Sequence, residues 1–319
     1  MAGGASVTPR WHARQYHYLS QDSHVHSFLL DLWREVREHS GGRFDATVTA
    51  ANQGLPKSHA AIVQLLVDGE IEFYVLMGGL LGAMVPAMEL QGLPFAFSGH
   101  AQVHAIFDGV LGDHLRAELL AKGIHALPFG LMENGFRHVS TIGNPVLRVS
   151  DLAGLRIRIP EGEMFEDAFR ALGAQPVPLY VGELYQALAE RRIDAQENPL
   201  AVTAALRLHE VTRSVSLTCH MWSGFNLIAS KRFWDTLPAE VQDIILRSTR
   251  KHVARQRVYT AALNHKLEME LAQRGMAVAR PQRSGFRECL AASGFYARWK
   301  GIVGLKAWSL LEQSVGKLA

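Results

Sequence analysis

The chain predicts an α/β fold in two domains, and three observations carry that prediction. The first is a strand-helix-strand-helix-strand order up to Met77, the opening of a parallel sheet. The second is size: 319 residues, 48% hydrophobic and 20% charged, suffice for two cores. The third is a helix-period segment from Pro238 to about Arg274, about 55 Å long at about 1.5 Å per residue and longer than one domain needs.

The elements follow from local pattern. A strand near Arg14 to Leu19 precedes a helix that Ser20 or Ser23 can cap, with Phe28, Leu29, Leu32, Trp33 and Val36 at helical period and Gly41 and Gly42 at its end. Phe44 to Ala50 alternates as a strand, Pro56 opens a helix running to about Asp68, and Glu72 to Met77 reads as a buried strand. A helix from Ala101 to Lys122 and a strand from Ile124 to Phe136 come next. In LRIRIP, Arg156 and Arg158 share the face opposite Ile157 and Ile159, and Pro160 stops the strand. A helix from Glu161 to Leu172, an extended piece from Gln175 to Leu179 and a helix near Glu183 to Arg191 lead to the turn DAQENP. Ser214 to Cys219 and Phe225 to Ser230 read as strands, the latter returning to the first domain. Pro238 takes the first position of the long helix and Gly275 stands just past its end.

Composition narrows the function. A net charge of +3 and a pI near 8.9, with Lys and Arg spread along the chain, leave no footprint for nucleic acid. The longest stretches without charge are too short and too interrupted to span a bilayer, and no basic and apolar leader is visible at the N-terminus. Cys219 and Cys289 show no metal spacing and read as buried small hydrophobes, with a disulfide left open.

Several chemistries are weighed and set aside. GGLLG, Gly78 to Gly82, follows the third strand rather than the first and lacks dinucleotide-loop order; its glycines are read as letting backbone approach a cleft. His100 and His104 lack the glutamate of a zincin helix and are taken as solvated or capping. His24 and His26, with Gln21 and Asp22, are candidates to meet ligand hydroxyls, against an ordinary loop role. No activated nucleophile, metal set or cofactor loop emerges, so no cofactor and no reaction are expected. An arginine at the C-terminal end of a strand beside an Asn in a turn suits a carboxylate or phosphate, with surface ion pairs as the ordinary alternative.

The stretch from Gly154 to Pro199 resembles the central signature of the DctP-type solute-binding proteins of TRAP transporters. The strand Gly154 to Pro160, the turn Leu172 to Leu179, the helix Glu183 to Leu188 and the turn Asp194 to Pro199 stand in that family's order. SGGRF after the first helix, Val67 to Phe73, Leu93 to Phe97 and MENGFRHV extend the likeness over nearly the whole chain. It implies a two-domain periplasmic-binding-protein architecture of Venus-flytrap type. Domain I would take residues 1–135 plus 224–263 and domain II residues 136–223 plus 264–319. A ligand cleft would lie between them, the long helix would bridge both, and the chain from Met276 would add a last strand and helices to domain II. Arg158 would form a bidentate salt bridge to a ligand carboxylate, with Asn198 and Arg137 completing it. Glu133, Gln21, Met77, Val181 and Trp222 join them as candidate ligand contacts; Val181 stands where some relatives carry an aromatic. Met77, Met132, Val181 and Trp222, lining the cleft, would favour a compact, partly apolar or aromatic organic acid over a long sugar acid. The implied partners are a small organic acid and the membrane permease subunits, with a monomer in the periplasm that carries out no reaction. An enzyme on the same architecture and a sensing module for a signalling receptor remain as alternatives.

Overall fold

The structure, a computed structural model, describes residues 10–318. The first nine residues, on which part of the reading of the N-terminus rests, lie outside them. Strands β1 (Trp11–His17), β2 (Phe44–Thr49) and β3 (Phe73–Met77) alternate with helices α1 (His24–His39) and α2 (His59–Asp68), and β2 and β3 run parallel on either side of β1. Ser23 caps α1 by accepting the backbone N–H of His26. Helix α2 begins at His59, three residues later than Pro56 suggests, because Ser58 caps it by accepting the N–H of Ala61. Gly69 closes it at φ +82, a left-handed angle that a side chain would oppose.

After two 3₁₀ turns, Gly78–Leu81 and Pro86–Gly92, come α3 (His100–Phe107) and α4 (Val110–Ala121). The single helix expected here is broken at Asp108 and Gly109. A Cβ on Gly109 would stand 2.8 Å from the Ala105 carbonyl oxygen, so the tight break needs a glycine. The chain continues through β4 (Ile124–Phe136), β5 (His138–Thr141), β6 (Arg156–Ile159), α5 (Glu163–Ala171), β7 (Gln175–Pro178), α6 (Leu184–Ala189), β8 (Ala195–Asn198) and α7 (Leu200–Ala205). It ends with β9 (Ser214–Ser216), β10 (Trp222–Ser230), α8 (Lys231–Trp234), α9 (Ala239–Gln273), β11 (Ala277–Ala279), α10 (Ser284–Ala292), α11 (Phe295–Val303) and α12 (Leu305–Val315).

Two compact units result. The first comprises Met1–Met77, Asp113–Met132 and Phe225–Val258, and holds a five-stranded sheet in the order β2-β1-β3-β10-β4. Strand β10 pairs antiparallel with β3, which places the returning strand inside the first sheet as its sequence suggests. The core beneath is aromatic: Trp33 stacks on Phe44 at 5.7 Å and meets Phe73 at 4.6 Å, and Phe233 packs edge-on against Phe73.

The second unit comprises Gly78–Gly112, Glu133–Gly224 and Tyr259–Ala319, with a six-stranded sheet in the order β11-β9-β5-β8-β6-β7. Strand β11 and helices α10 to α12 belong to it. Leu200, Val215, Leu267, Leu271 and Met276 form one of its cores, and Leu184, Leu188, Ile193 and Leu208 another. Its boundaries differ from the expected ones, because Gly78–Gly112 groups with this unit rather than the first. The Pro86–Gly92 turn packs on α11 and α12, α3 packs on α12, and the Tyr296 hydroxyl donates to the Pro94 carbonyl at 3.0 Å.

Candidate functional site

The register of the second sheet gathers three of the expected residues at one end. Strands β6 and β8 are parallel with Arg158 opposite Gln196, so Arg158 and Asn198 both stand toward the C-terminal ends of their strands. Strand β5 is antiparallel to β8 with His138 opposite Asn198, which brings Arg137, one residue before β5, to the same end. Carboxyl ends of parallel strands are where open α/β sheets bind ligands.

Arg158 is 3% exposed, and its Nε and Nη2 donate to the Leu179 carbonyl at 2.9 and 2.6 Å. The strand β7 that precedes Leu179 thus fixes the guanidinium's plane. Val181, half-buried in the 3₁₀ turn after β7, lies close by in sequence. Asn198 donates from Nδ2 to Gln196 Oε1 at 2.6 Å and accepts from Arg137 Nη2 at 3.2 Å.

Arg137 is more heavily engaged than its expected role suggests. Its Nε and Nη2 form a two-pronged pair with the Glu197 carboxylate, Nη2 standing 2.6 Å from Oε1, and the guanidinium lies 5.2 Å over the Phe165 ring. His220 Nε2 stands 3.1 Å from the other Glu197 oxygen, and its Nδ1 lies 2.7 Å from the Thr218 hydroxyl. Burial alone would raise the Glu197 carboxyl, but Arg137 and His220 outweigh it and hold it below the usual range. Burial lowers His220 despite Glu197, so the network assigns a neutral ring that donates from Nε2 and accepts at Nδ1. Glu197 was not singled out from the sequence, although the DAQENP turn contains it.

Glu133 and Trp222 belong to a second cluster. The buried Glu133 carboxylate accepts from Trp222 Nε1 at 2.7 Å and from His100 Nδ1 at 2.8 Å, while His104 Nε2 stands 3.0 Å away, outside hydrogen-bond alignment. Burial pushes Glu133 up, but the two imidazoles outweigh it and the carboxyl is lowered; the hydrogen bond to Glu133 raises His100. His100 and His104, expected to be solvated or capping, are therefore partners of a buried acid at 4-residue spacing on α3. Trp222 is 1% exposed and stacks on Phe107 at 6.3 Å, an interior position rather than an open wall.

In the first unit, Met77 ends β3 and is buried, and Gln21 is exposed in the turn after β1, each following a parallel strand. His26 is not in the loop: its Nδ1 meets His17 Nε2 at 2.9 Å inside the unit. The glycines of GGLLG make room for side chains of their own unit. A Cβ on Gly82 would lie 2.7 Å from Glu89 Cγ, and one on Gly78 would collide with the Gln91 amide. Cys219 and Cys289 are both free thiols. Among the described residues no group of three metal-ligating side chains forms, and no helix is long and apolar enough to cross a membrane.

A basic, amide-bearing cluster at the carboxyl end of an α/β sheet is suited to holding a small anion. Residues 16–294 match the family described as bacterial extracellular solute-binding protein, family 7, the DctP family, and the chain belongs to it. It is 30% identical over 260 residues to a solute-binding protein of Verminephrobacter eiseniae, covering 81% of this chain and 76% of the relative. It is 33% identical over 218 residues to the 2,3-diketo-L-gulonate-binding periplasmic protein YiaO of Escherichia coli, covering 68% and 66%. A TRAP periplasmic solute binding protein from Polaromonas sp. JS666, bound to D-erythronate, superposes with a TM-score of 0.87 at 26% identity, over 94% of this chain and 98% of that one.

Proposed function

We propose that this protein is the periplasmic binding component of a TRAP uptake system. It captures a small organic acid through the acid's carboxylate and hands it to the membrane permease without changing it. The observation that supports this reading most is the convergence of Arg158, Asn198 and Arg137 at one end of the second sheet, set by the pairing of β5, β6 and β8. Arg158 is the residue we assign to the carboxylate, since a planar guanidinium can meet both oxygens of one carboxylate. Arg137, held by Glu197, contributes through Asn198, whose side chain it orients.

Ligand class follows from what the interior leaves available. Trp222, packed inside against Phe107 and bonded to Glu133, is not offered as an apolar wall, which weakens the case for an aromatic acid. The relatives named for 2,3-diketo-L-gulonate and D-erythronate support an oxygen-rich monocarboxylate instead. A thermal-shift series of aldonic and keto acids with their methyl esters tests the reading. Acids should raise the melting temperature by mass action and esters should not. Equal shifts from acid and ester would sink it. Mass spectrometry after long incubation should return the acid unchanged.

A further inference from the structure

The second unit holds a cavity of about 370 Å³, lined by Phe95, Phe97, Ser98, Arg283, Ser284 and Arg287 among others, that adjoins the backbone of the cluster just described, Phe95 N donating to the His220 carbonyl at 2.7 Å. No acidic residue lines it. Its two arginines stand apart from most arginines of this unit. Arg137, Arg156, Arg170, Arg280 and Arg298 each face a carboxylate, whereas the hydrogen bonds of Arg283 and Arg287 end on carbonyls. Arg283 Nη2 reaches the carbonyls of Phe97 and Cys219 at 3.3 and 3.4 Å, and Arg287 Nη2 that of Lys317 at 3.4 Å. These are long bonds through one nitrogen each, and neither arginine has a carboxylate among the described residues. Arg283 is half-buried, so its positive charge is only partly compensated by water.

We propose that this cavity binds a phosphate group, with Arg283 and Arg287 as its charge partners and the Ser284 hydroxyl as a further donor. A phosphate presents three oxygens and up to two negative charges, which suits two guanidiniums and a hydroxyl better than a single carboxylate, whose two oxygens one guanidinium already satisfies. The Ser98 hydroxyl is committed to Gln102 Oε1 at 2.9 Å and shapes the wall instead. The volume exceeds one phosphate, and the Phe95 and Phe97 segments leave room for the organic part of a small phosphate ester.

The test uses the whole protein in low-salt buffer free of phosphate, with inorganic phosphate and glycerol phosphate as calorimetric probes. Saturable binding at one site per chain in the millimolar range or tighter is expected. Arg287→Glu, at an exposed position, should weaken it by at least about tenfold, and Ser284→Ala by less. Arg283→Lys, which keeps charge but loses the planar fork, should weaken it without unfolding the protein. Arg158→Ala should leave phosphate binding intact, and Arg287→Glu should leave the organic acid's thermal shift intact, so the two sites are tested separately. Tighter binding of glycerol phosphate than of phosphate would identify an ester as the occupant, and equal binding would identify the free ion. Absence of saturable binding by either probe would overturn the proposal. So would binding indifferent to Arg287→Glu, or binding lost in Arg158→Ala.

Discussion

Arg156 and Arg158 leave the same face of β6, two residues apart, and end in opposite circumstances. Arg156 clamps Asp194 with Nε at 2.9 Å and Nη2 at 2.7 Å at a half-exposed position, whereas Arg158 is 3% exposed and its guanidinium is seated on the Leu179 carbonyl. The pair separates recognition from ordinary charge. Arg158→Ala should weaken binding of the organic acid by about 3 kcal/mol or more, about 100-fold, with Arg158→Lys recovering only part. Arg156→Ala should bind nearly normally and lose little stability, because its ion pair with Asp194 is open to solvent. Calorimetry on the three variants decides, and the reverse ranking would place the carboxylate on Arg156.

The Arg137 and Glu197 pair predicts a different signature. Both are buried, so removing one partner strands a charge: Arg137→Ala or Glu197→Ala should cost about 3 to 5 kcal/mol of folding stability. Replacing both at once, Arg137→Met with Glu197→Leu, should cost much less than the sum of the single changes. Denaturant unfolding of the four proteins measures the coupling; additive losses would show that the pair acts as two independent groups.

Stability should fall on both sides of a maximum near neutral pH. Burial, then the charge of Glu163, pushes the Glu89 carboxyl up to about 8, so the native chain keeps a proton that the unfolded chain has released above 4.5. That contribution is fully present at low pH and is lost as pH rises from about 4.5 to about 8, a loss of a few kcal/mol at most. His17 and His138 are lowered, chiefly by burial, to about 4 and about 3, so their contribution is present above 6.5 and lost as pH falls toward those values. Glu89→Gln should flatten the alkaline limb above 6.5 and steepen the acid limb between 4.5 and 6.5, where Glu89 opposes the histidines. Melting temperatures of both proteins across the range check this, and parallel curves on the alkaline side would exclude Glu89 as the cause.

Gly82→Ala should destabilise by about 1 to 3 kcal/mol, since the new methyl meets the Glu89 side chain. Gly143→Ala, where nothing lies within 4 Å, is the control. Equal melting temperatures for the two variants would show that Glu89 yields without cost.

What was legible in the sequence was whatever depends on neighbours along the chain. LRIRIP showed a strand and its paired arginines, and Pro238 and Gly275 bracketed α9 to within a residue or two, because alternation and capping are local signals. The break at Gly109 was missed because one glycine inside a helical pattern is ordinarily tolerated, and the tight approach to Ala105 is visible only in three dimensions. The engagement of Arg137 by Glu197, 60 residues away, and of His100 by Glu133, 33 away, depends on which strands pair, and spacing carries no trace of it. The DctP motifs brought Arg137, Arg158 and Asn198 to notice together, while the sheet register places them at one end.

The interleaving of the chain between units sets an order on its synthesis. Strand β10 sits between β3 and β4 in the first sheet, yet Phe225 is reached only after β5 through β9 have been made. As the chain emerges from the ribosome, β3 therefore waits with one edge unpaired while most of another sheet is translated, roughly 7 to 30 seconds at about 5 to 20 residues per second. An unpaired hydrophobic edge is a template for joining other chains. The second sheet, lacking only β11 by then, is the one positioned to form early, and a nascent chain stopped before Phe225 is the species most in need of a chaperone.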